Sequence, residues 1–487
     1  MFVRYLIIGA GVTGLGAAYR LKDKGEGDYL LLEQATHAGG LASSFKDDKG
    51  FWWDIGGHVQ FSHYEYFDRA MEHAIPRDQW LEHERESWVW LHERFVPYPF
   101  QNNIRYLPDD VLMKCLRGLL KTWKAGTKRQ PVDFREWILQ VFGEGVADEF
   151  MLPYNYKVWA YRAEEMAYQW IGERVAVVDL ERILENLVYE RLDASWGPNN
   201  TFKFPSYGGT GAIWNSIADI IGRERILLGQ TVVSIDAEKK EVRTRSGEVF
   251  QYEHLLSTIP VNKLTKAVVQ VPSQIDKIAS LLKHSASNIV GVGLKGRPPE
   301  DVGRKCWMYF PEANCPFYRV TVFSNYSPNN VPDPAIYYSL MTETSESPQK
   351  PVDHSELLDA TVEGLRRTKL IRPEDEVVSV WSYRAAYGYP TPSLERDDIL
   401  DTVIPYLDRL GVHSRGRFGG WKYEVSNQDH SFMQGVEWVN WILDGAKEST
   451  YRVNRAADIS MPRYPRRHHV LDERLAKPRT NSSARSV

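Results

Sequence analysis

Residues Tyr5 to Ile8 form a short apolar run that ends at the glycine-rich GAGVTG of 9–14; Leu15, Ala18 and Leu21 then recur at helical spacing, and a second apolar run occupies 29–32. This succession predicts a strand, a tight turn, a helix and a second strand. Between 108 and 123 the apolar positions Val111, Leu112, Cys115, Leu116, Leu119 and Trp123 repeat at intervals of three and four, the signature of a helix with one buried face. Asp133 is placed to cap a further helix carrying Trp137, Ile138 and Val141, and 180–192 continues the helical pattern, so this region reads as a helical insertion. From 225 to 260 short alternating runs broken by glycine and charged turns predict strands that return to the first domain. Between 288 and 389, IVGVGL, YRVTVF and AIYYSL alternate with Pro, Asn and Ser loops and predict a sheet able to cover a bound ligand. From 462 onward the chain is rich in Arg, His, Pro and Ser without an apolar period, which predicts a flexible tail.

The pattern defines an α/β protein: a Rossmann-like dinucleotide-binding domain, a helical insertion and a mixed or antiparallel β-sheet substrate domain. The expected boundaries are 1–78, 200–262 and 405–455 for the first, 105–199 for the second, and 79–104 with 263–404 for the third, leaving 462–487 as the tail. A chain of 487 residues exceeds one compact core, in keeping with several regions.

Charge narrows the partners. Sixty basic residues against 64 acidic ones, with no dense basic stripe, argue against a nucleic-acid partner. Cys115, Cys306 and Cys315 are an odd number without CxxC or His-rich spacing, so neither a disulfide framework nor a structural zinc is expected, and no metal motif is present. The first residues superficially resemble a signal peptide, but read better as a buried strand entering a glycine turn. No apolar run reaches the roughly 18 residues of a membrane span, and with the cysteine usage this points to the cytoplasm. Aromatic residues make 12% of the chain, more than a core alone needs, and suggest rings lining a ligand site.

Gly9, Gly11 and Gly14 form GxGxxG between a strand and a helix: the first allows the turn, the second lets backbone approach a pyrophosphate, and the third lets helix and strand pack closely. Glu33 ends the second strand, where a carboxylate accepts from ribose hydroxyls and disfavours a 2′-phosphate. The dinucleotide is therefore FAD or NAD. Gly39 and Gly40, in HAGGLASS at 37–44, resemble the pair that passes beneath the pyrophosphate in amine-oxidase-type flavoproteins, which selects FAD.

Arg174 sits in an otherwise apolar stretch and Arg319 in a strand-like run; each needs a buried anion, either a structural carboxylate or a ligand phosphate. DIGGHVQFSHYEYF (54–67), VPYPFQNNI (96–104), PYNYKVWA (153–160), GERVA (172–176), TFKFPSYGGTGAIW (201–214), CWMYFPEANCPFYRVTVFSNYSP (306–328), GYPTPSLER (388–396) and GRFGGWKYEVSNQDHSFMQGVE (416–437) together resemble UDP-galactopyranose mutases, in particular the eukaryotic-like type of fungi and trypanosomatids. The resemblance implies an FAD site of Gly9, Gly11, Thr13, Gly14, Glu33, Gly39, Gly40, Leu41, Gly56, Gly57, His58, Val232, Arg417, Asn427, Gln428 and Ser431. It implies a diphosphate held by Arg174 and Arg319 with Tyr326, Tyr389 and Tyr423, a uracil site at Tyr98, Phe100 and Gln101, sugar or ribose contacts from Asn155, Trp159 and Asn199, and further substrate contacts from Phe61, Trp307, Tyr309 and Asn427. His58 is expected to position the loop against the flavin, and Arg85 and Ser87 to meet NADPH or NADH acting as the reductant.

What the resemblance implies chemically is interconversion of UDP-galactopyranose and UDP-galactofuranose without net redox change. N5 of the reduced flavin attacks the anomeric carbon and carries the sugar as a covalent adduct while the ring opens and recloses. Arg174, Arg319 and His58 are the residues expected nearest the chemistry. Gln60, Tyr207 and Tyr387 depart from the family pattern, which leaves open a related UDP-sugar. Two further classes of protein compete with the mutase. An amine-oxidase-type flavin oxidoreductase shares the fingerprint, the acidic residue and the glycine pair, and a binding protein of the GDP-dissociation-inhibitor type has a related fold.

Overall fold

The computed structural model describes residues 1–126, 129–172, 175–176, 178–193 and 200–451. Arg174, Asn199 and the 462–487 tail lie outside them.

Strand Phe2–Ile8 runs parallel to Tyr29–Leu32 on one side and to Val249–Ser257 on the other, in a seven-stranded sheet completed by Ile226–Leu227, Val232–Asp236, Glu241–Thr244 and Val412–Ser414. The helix between the first two strands, Val12–Asp23, covers one face with helices Gly211–Ile221 and Gln428–Asp444, enclosing Leu15, Ala18, Leu21, Ile213, Trp214, Ile217, Phe432 and Val436. Small residues make this packing close. A methyl on Gly435 would overlap the Thr13 carbonyl, and one on Gly16 the backbone at Phe432, so helices Val12–Asp23 and Gln428–Asp444 touch backbone to backbone.

The second seven-stranded sheet follows the order Glu376–Pro390, His284–Lys295, Tyr337–Glu346, Arg319–Val322, Trp307–Tyr309, Ser87–Leu91, Arg94–Pro97. All its pairings are antiparallel except that of Trp307–Tyr309 with Ser87–Leu91. The three runs expected as strands between 288 and 389 thus fall side by side in one sheet, with Ile289, Val290, Val292, Leu294, Leu340 and Val322 buried. Gly291 and Gly293 lie on its long strand because rings lie against it: a Cβ on either would strike Trp53 or Phe51.

The expected helices of the insertion are present as Asp109–Lys124, Phe134–Val146, Leu152–Trp159 and Leu180–Val188, packed around Cys115, Leu119, Trp137, Ile138, Val141 and Phe142. Asp133 caps its helix, accepting the Glu136 N–H at 2.7 Å. All three cysteines are buried and unpaired. Among the described residues no helix is long and apolar enough to cross a membrane.

Candidate active site

The fingerprint turn has the form the glycine pattern anticipates. Gly9 is left-handed with φ 101°, and a Cβ on Gly14 would overlap the Gly9 carbonyl, so neither tolerates a side chain. Gly11 bridges Gly39 in parallel, Gly39 N–H donates to the Ala10 carbonyl at 2.8 Å, and a Cβ on Gly11 would meet nothing closer than Gly40 Cα at 3.8 Å. Sequence-distant glycines therefore form one bare backbone surface. It opens onto the start of helix Val12–Asp23, whose first turn contains no acidic residue and whose N-cap, Gly11, offers no side-chain acceptor. Such a terminus suits an anion supplied from outside the chain.

Glu33 is buried beside this surface, and its two oxygens accept from Ala10 N–H at 2.7 Å and Ala35 N–H at 2.8 Å. Doubly anchored, it keeps acceptor capacity for hydroxyls. The turn, the bare glycines and the oriented carboxylate fit the pyrophosphate and ribose of FAD. Thr13 is buried against Gly416, Leu41 is partly buried, and Val232 begins the antiparallel extension of the first sheet.

The second sheet brings charged groups against the Gly56–Gly57–His58 loop. Arg319 starts its strand and Glu343 lies opposite it in register on Tyr337–Glu346. The Glu343 carboxylate, 3% exposed, accepts from Arg319 Nε at 2.8 Å, stands 2.5 Å from Arg319 Nη2, and takes the Gly57 N–H at 2.9 Å and the Tyr318 hydroxyl at 2.6 Å. Burial works against the charge on both groups, but each supports the other: the guanidinium is raised further and the carboxyl falls below its ordinary 4.5. So the anion that Arg319 requires is, in part, a carboxylate of this chain. The arginine side chain is still 21% exposed, with one edge of its fork turned away from Glu343.

Glu343 was not singled out by the sequence pattern, although an acid inside the strand-like YYSLMTETS is a visible anomaly. It ties the Gly56–Gly57–His58 loop to Arg319. Gly56 is left-handed at φ 99° with Glu343 3.5 Å from where a Cβ would stand. His58 has a buried Nδ1 without a hydrogen bond among the described residues, and burial pushes its imidazole down to about 4, with Arg417 and Arg319 adding to the effect of burial and Glu343 opposing it. It is a neutral ring at pH 7, suited to positioning.

Aromatic rings line the rest of the cleft. Tyr309 lies 5.2 Å from both Tyr98 and Tyr154, Trp159 packs edge-on to Tyr423 at 4.8 Å and Tyr389 at 5.9 Å, and Arg85 lies over Tyr98. Burial raises the phenols of Tyr98, Tyr154, Tyr309 and Tyr389, which keeps them as hydrogen-bond donors at neutral pH. Tyr154, one residue before Asn155, is a further lining residue that the sequence pattern did not single out. Arg417 donates to the Gly388 carbonyl at 2.8 Å and to Ser426 Oγ at 2.9 Å while lying over Tyr389, so it braces the loop between the two sheets. Gln428 accepts from Trp214 Nε1 at 2.7 Å, and Asn427 and Ser431 sit at the start of helix Gln428–Asp444.

Several expected contacts are less open than the sequence suggests. Phe100 is buried and stacked on Phe150 at 4.7 Å, and Gln101 gives its amide N–H to the Ala176 carbonyl, so both pack into the helical core. Asn155 gives its amide N–H to the Met151 carbonyl at 2.7 Å, and Trp159 belongs to the helical core cluster. Tyr326 is enclosed by Phe202, Phe204, Trp307 and Phe323. Phe61 lies edge-on to His63, Trp307 donates to the Tyr309 hydroxyl at 2.5 Å, and Ser87 is buried beside the cleft strand. Among the departures, Tyr207 is 66% exposed, Gln60 is buried with its backbone paired to Lys203, and Tyr387 stacks on His284 at 4.1 Å.

A family model for flavin containing amine oxidoreductases matches residues 12–431. A crystal structure of reduced UDP-galactopyranose mutase superposes with a TM-score of 0.90 at 46% sequence identity, covering 93% of this chain and 96% of that one. The chain belongs to the UDP-galactopyranose mutases. It is an isomerase by that membership and a flavoprotein by both matches, in accord with the FAD-shaped fingerprint. A putative protoporphyrinogen oxidase from Exiguobacterium, at 14% identity and a TM-score of 0.68 over 90% of this chain and 98% of its own, shares the fold alone. The 15-cis-phytoene desaturase of Glycine max is 36% identical over 80 residues, 16% of this chain and 14% of that protein, so the match spans about one seventh of that curated relative.

Proposed function

We propose that the protein interconverts UDP-galactopyranose and UDP-galactofuranose, as a mutase of the eukaryotic-like type working in the cytoplasm with NADPH or NADH as reductant. The observation that supports this reading is that Arg319 lies beside the Gly56–Gly57–His58 loop, with Tyr154, Tyr318 and Tyr389 near its guanidinium. A guanidinium there faces a leaving diphosphate, and its Glu343 clamp holds the fork in one orientation, so the nucleotide stays where the anomeric carbon can recapture it. Phenols of Tyr389 and Tyr423 sit on the same wall to share the phosphate oxygens, with Arg174 as the expected second cation and Asn199 as the expected sugar contact. Bound FAD in reduced form supplies a nucleophilic nitrogen for the sugar's anomeric carbon, without net redox.

The protein's part is orientation and exclusion of water. Tyr309 and Tyr98 offer ring faces and hydroxyls to the site, no carboxylate pair is invoked, and Glu343 is engaged by four donors. The test is anaerobic incubation of dithionite-reduced protein with UDP-galactofuranose, following UDP-galactopyranose by chromatography beside an oxidised control. Conversion by the reduced form alone supports the reading; reducible yellow protein inert towards this pair overturns the substrate and leaves the flavin site standing. Peroxide formed in step with turnover would favour a net-redox oxidase instead.

A further inference from the structure

One cluster of metal-ligating side chains stands apart from the diphosphate and fingerprint positions. His63 precedes helix Glu65–Ala74, while Asp429 and His430 lie in the first turn of Gln428–Asp444, and 366 residues separate His63 from Asp429. No sequence spacing could announce this grouping; the packing of the two helices makes it. The Asp429 carboxylate is 1% exposed. Its Oδ2 lies 2.7 Å from His63 Nδ1 and accepts the His63 backbone N–H at 3.2 Å, while its Oδ1 lies 3.0 Å from His430 Nδ1.

The second of these spacings is a close contact rather than a well-directed hydrogen bond. His430 Nδ1 and Asp429 Oδ1 are both buried, stand 3.0 Å apart and are misaligned, and neither makes a hydrogen bond among the described residues. Such orphaned buried polar atoms require an account. A nitrogen and a carboxylate oxygen this close and each without a directed partner are spaced as co-ligands of one ion can be. One ligand atom from each of the three side chains falls within 4.8 Å of the others. With metal–ligand bonds of about 2.0–2.2 Å, neighbouring donors of a tetrahedral ion stand roughly 3.3 Å apart. Spacings of 2.7 and 3.0 Å reach that by opening about half an ångström, a side-chain rotation. Two imidazoles and a carboxylate are a donor set for zinc-like ions, in preference to the all-oxygen sets of calcium and magnesium.

We propose that His63, Asp429 and His430 form a binding site for a divalent transition-metal ion of the zinc type. The ion clamps the 61–64 segment, which carries Phe61, to the helix that begins directly after Asn427. Three protein ligands leave at least one coordination position for water. The site adjoins the expected flavin contacts Gln428 and Ser431 on the same helix turn, and its occupancy sets how firmly the histidine-loop side is held.

The experiment uses full-length, flavin-loaded protein stripped of metal by a chelator and titrated with Co²⁺. The expected result is a d–d spectrum of low-symmetry Co²⁺ to the red of the flavin band, saturating at one equivalent and erased by Zn²⁺. His430→Gln and the partly exposed His63→Gln each weaken binding at least ~100-fold, since even outer-shell changes cost 10–100-fold. Asp429→Asn does the same, with the flavin absorbance confirming that the variant is folded. Absence of such a spectrum at millimolar Co²⁺, or saturation unchanged in both histidine variants, overturns the proposal. Because metal binding is read without substrate, its failure leaves the mutase reading untouched.

Discussion

Replacing Glu343 by glutamine tests whether this carboxylate holds Arg319 in place. The amide keeps the size of the side chain and one acceptor oxygen but removes the negative charge facing a guanidinium that is only 21% exposed. Deleting one partner of a buried pair costs about 3–5 kcal/mol, because the other charge is left uncompensated. Charge-assisted hydrogen bonds contribute about 1.5–3 kcal/mol each, and glutamine keeps part of one. Partial exposure of the arginine lowers the total further, so the expected loss is about 2–3 kcal/mol at pH 7. The double variant Glu343→Gln with Arg319→Gln should lose less than the sum of the single variants, by about 1.5 kcal/mol or more, as groups in direct contact do. Urea unfolding of the flavin-loaded protein, followed by tryptophan fluorescence, measures all three. The folded Glu343 carboxyl lies below its ordinary 4.5, so its stabilisation is present above that pH and is lost as pH falls through the lowered value. Glu343→Gln should therefore flatten the acid limb of the wild-type stability curve. A single variant within about 0.5 kcal/mol of wild type, or strict additivity in the cycle, would refute the reasoning.

Gly435→Ala places a methyl against the Thr13 carbonyl and should cost about 3 kcal/mol or more, read as poor recovery of yellow protein, because overpacking pushes helix Val12–Asp23 off the fingerprint turn. Asp54 is fully buried, and burial pushes its carboxyl up to about 7 although Ser44 and Thr210 donate to it. Its protonation favours the folded state below pH 4 and that contribution fades as pH rises through about 7, so Asp54→Asn should remove a stability slope of a few kcal/mol between pH 5 and 8, seen by comparing urea midpoints at the two values. Asp133→Ala removes the cap on Glu136 N–H and should destabilise by about 1 kcal/mol with flavin content unchanged.

Much of this protein is determined locally, and its sequence shows it. A glycine that must turn left-handed, as Gly9 does, cannot be replaced by another residue without strain, so the fingerprint is readable. Helix Asp109–Lys124, the Asp133 cap and the runs that became Tyr337–Glu346 and Arg319–Val322 are readable because periodicity and capping act over a few residues. The cleft was legible in its residue types, since an arginine in an apolar strand must meet an anion. Which anion was decided only by strand register: Arg319 pairs with Glu343, so the chain itself provides the first carboxylate. Register likewise decided that the same carboxylate would hold the Gly57 amide, 286 residues away. Phe100 and Gln101 carry the right chemistry for a base, yet packing against Phe150 and Ala176 turns them into the helical core, because how a ring is shared between cavity and core depends on neighbours contributed by distant segments. The His63, Asp429 and His430 cluster is the extreme case. Asp429 and His430 are neighbours in the chain, but nothing local relates them to His63, and only the tertiary placement of the segment before helix Glu65–Ala74 against the start of Gln428–Asp444 brings the three donors within reach of one another.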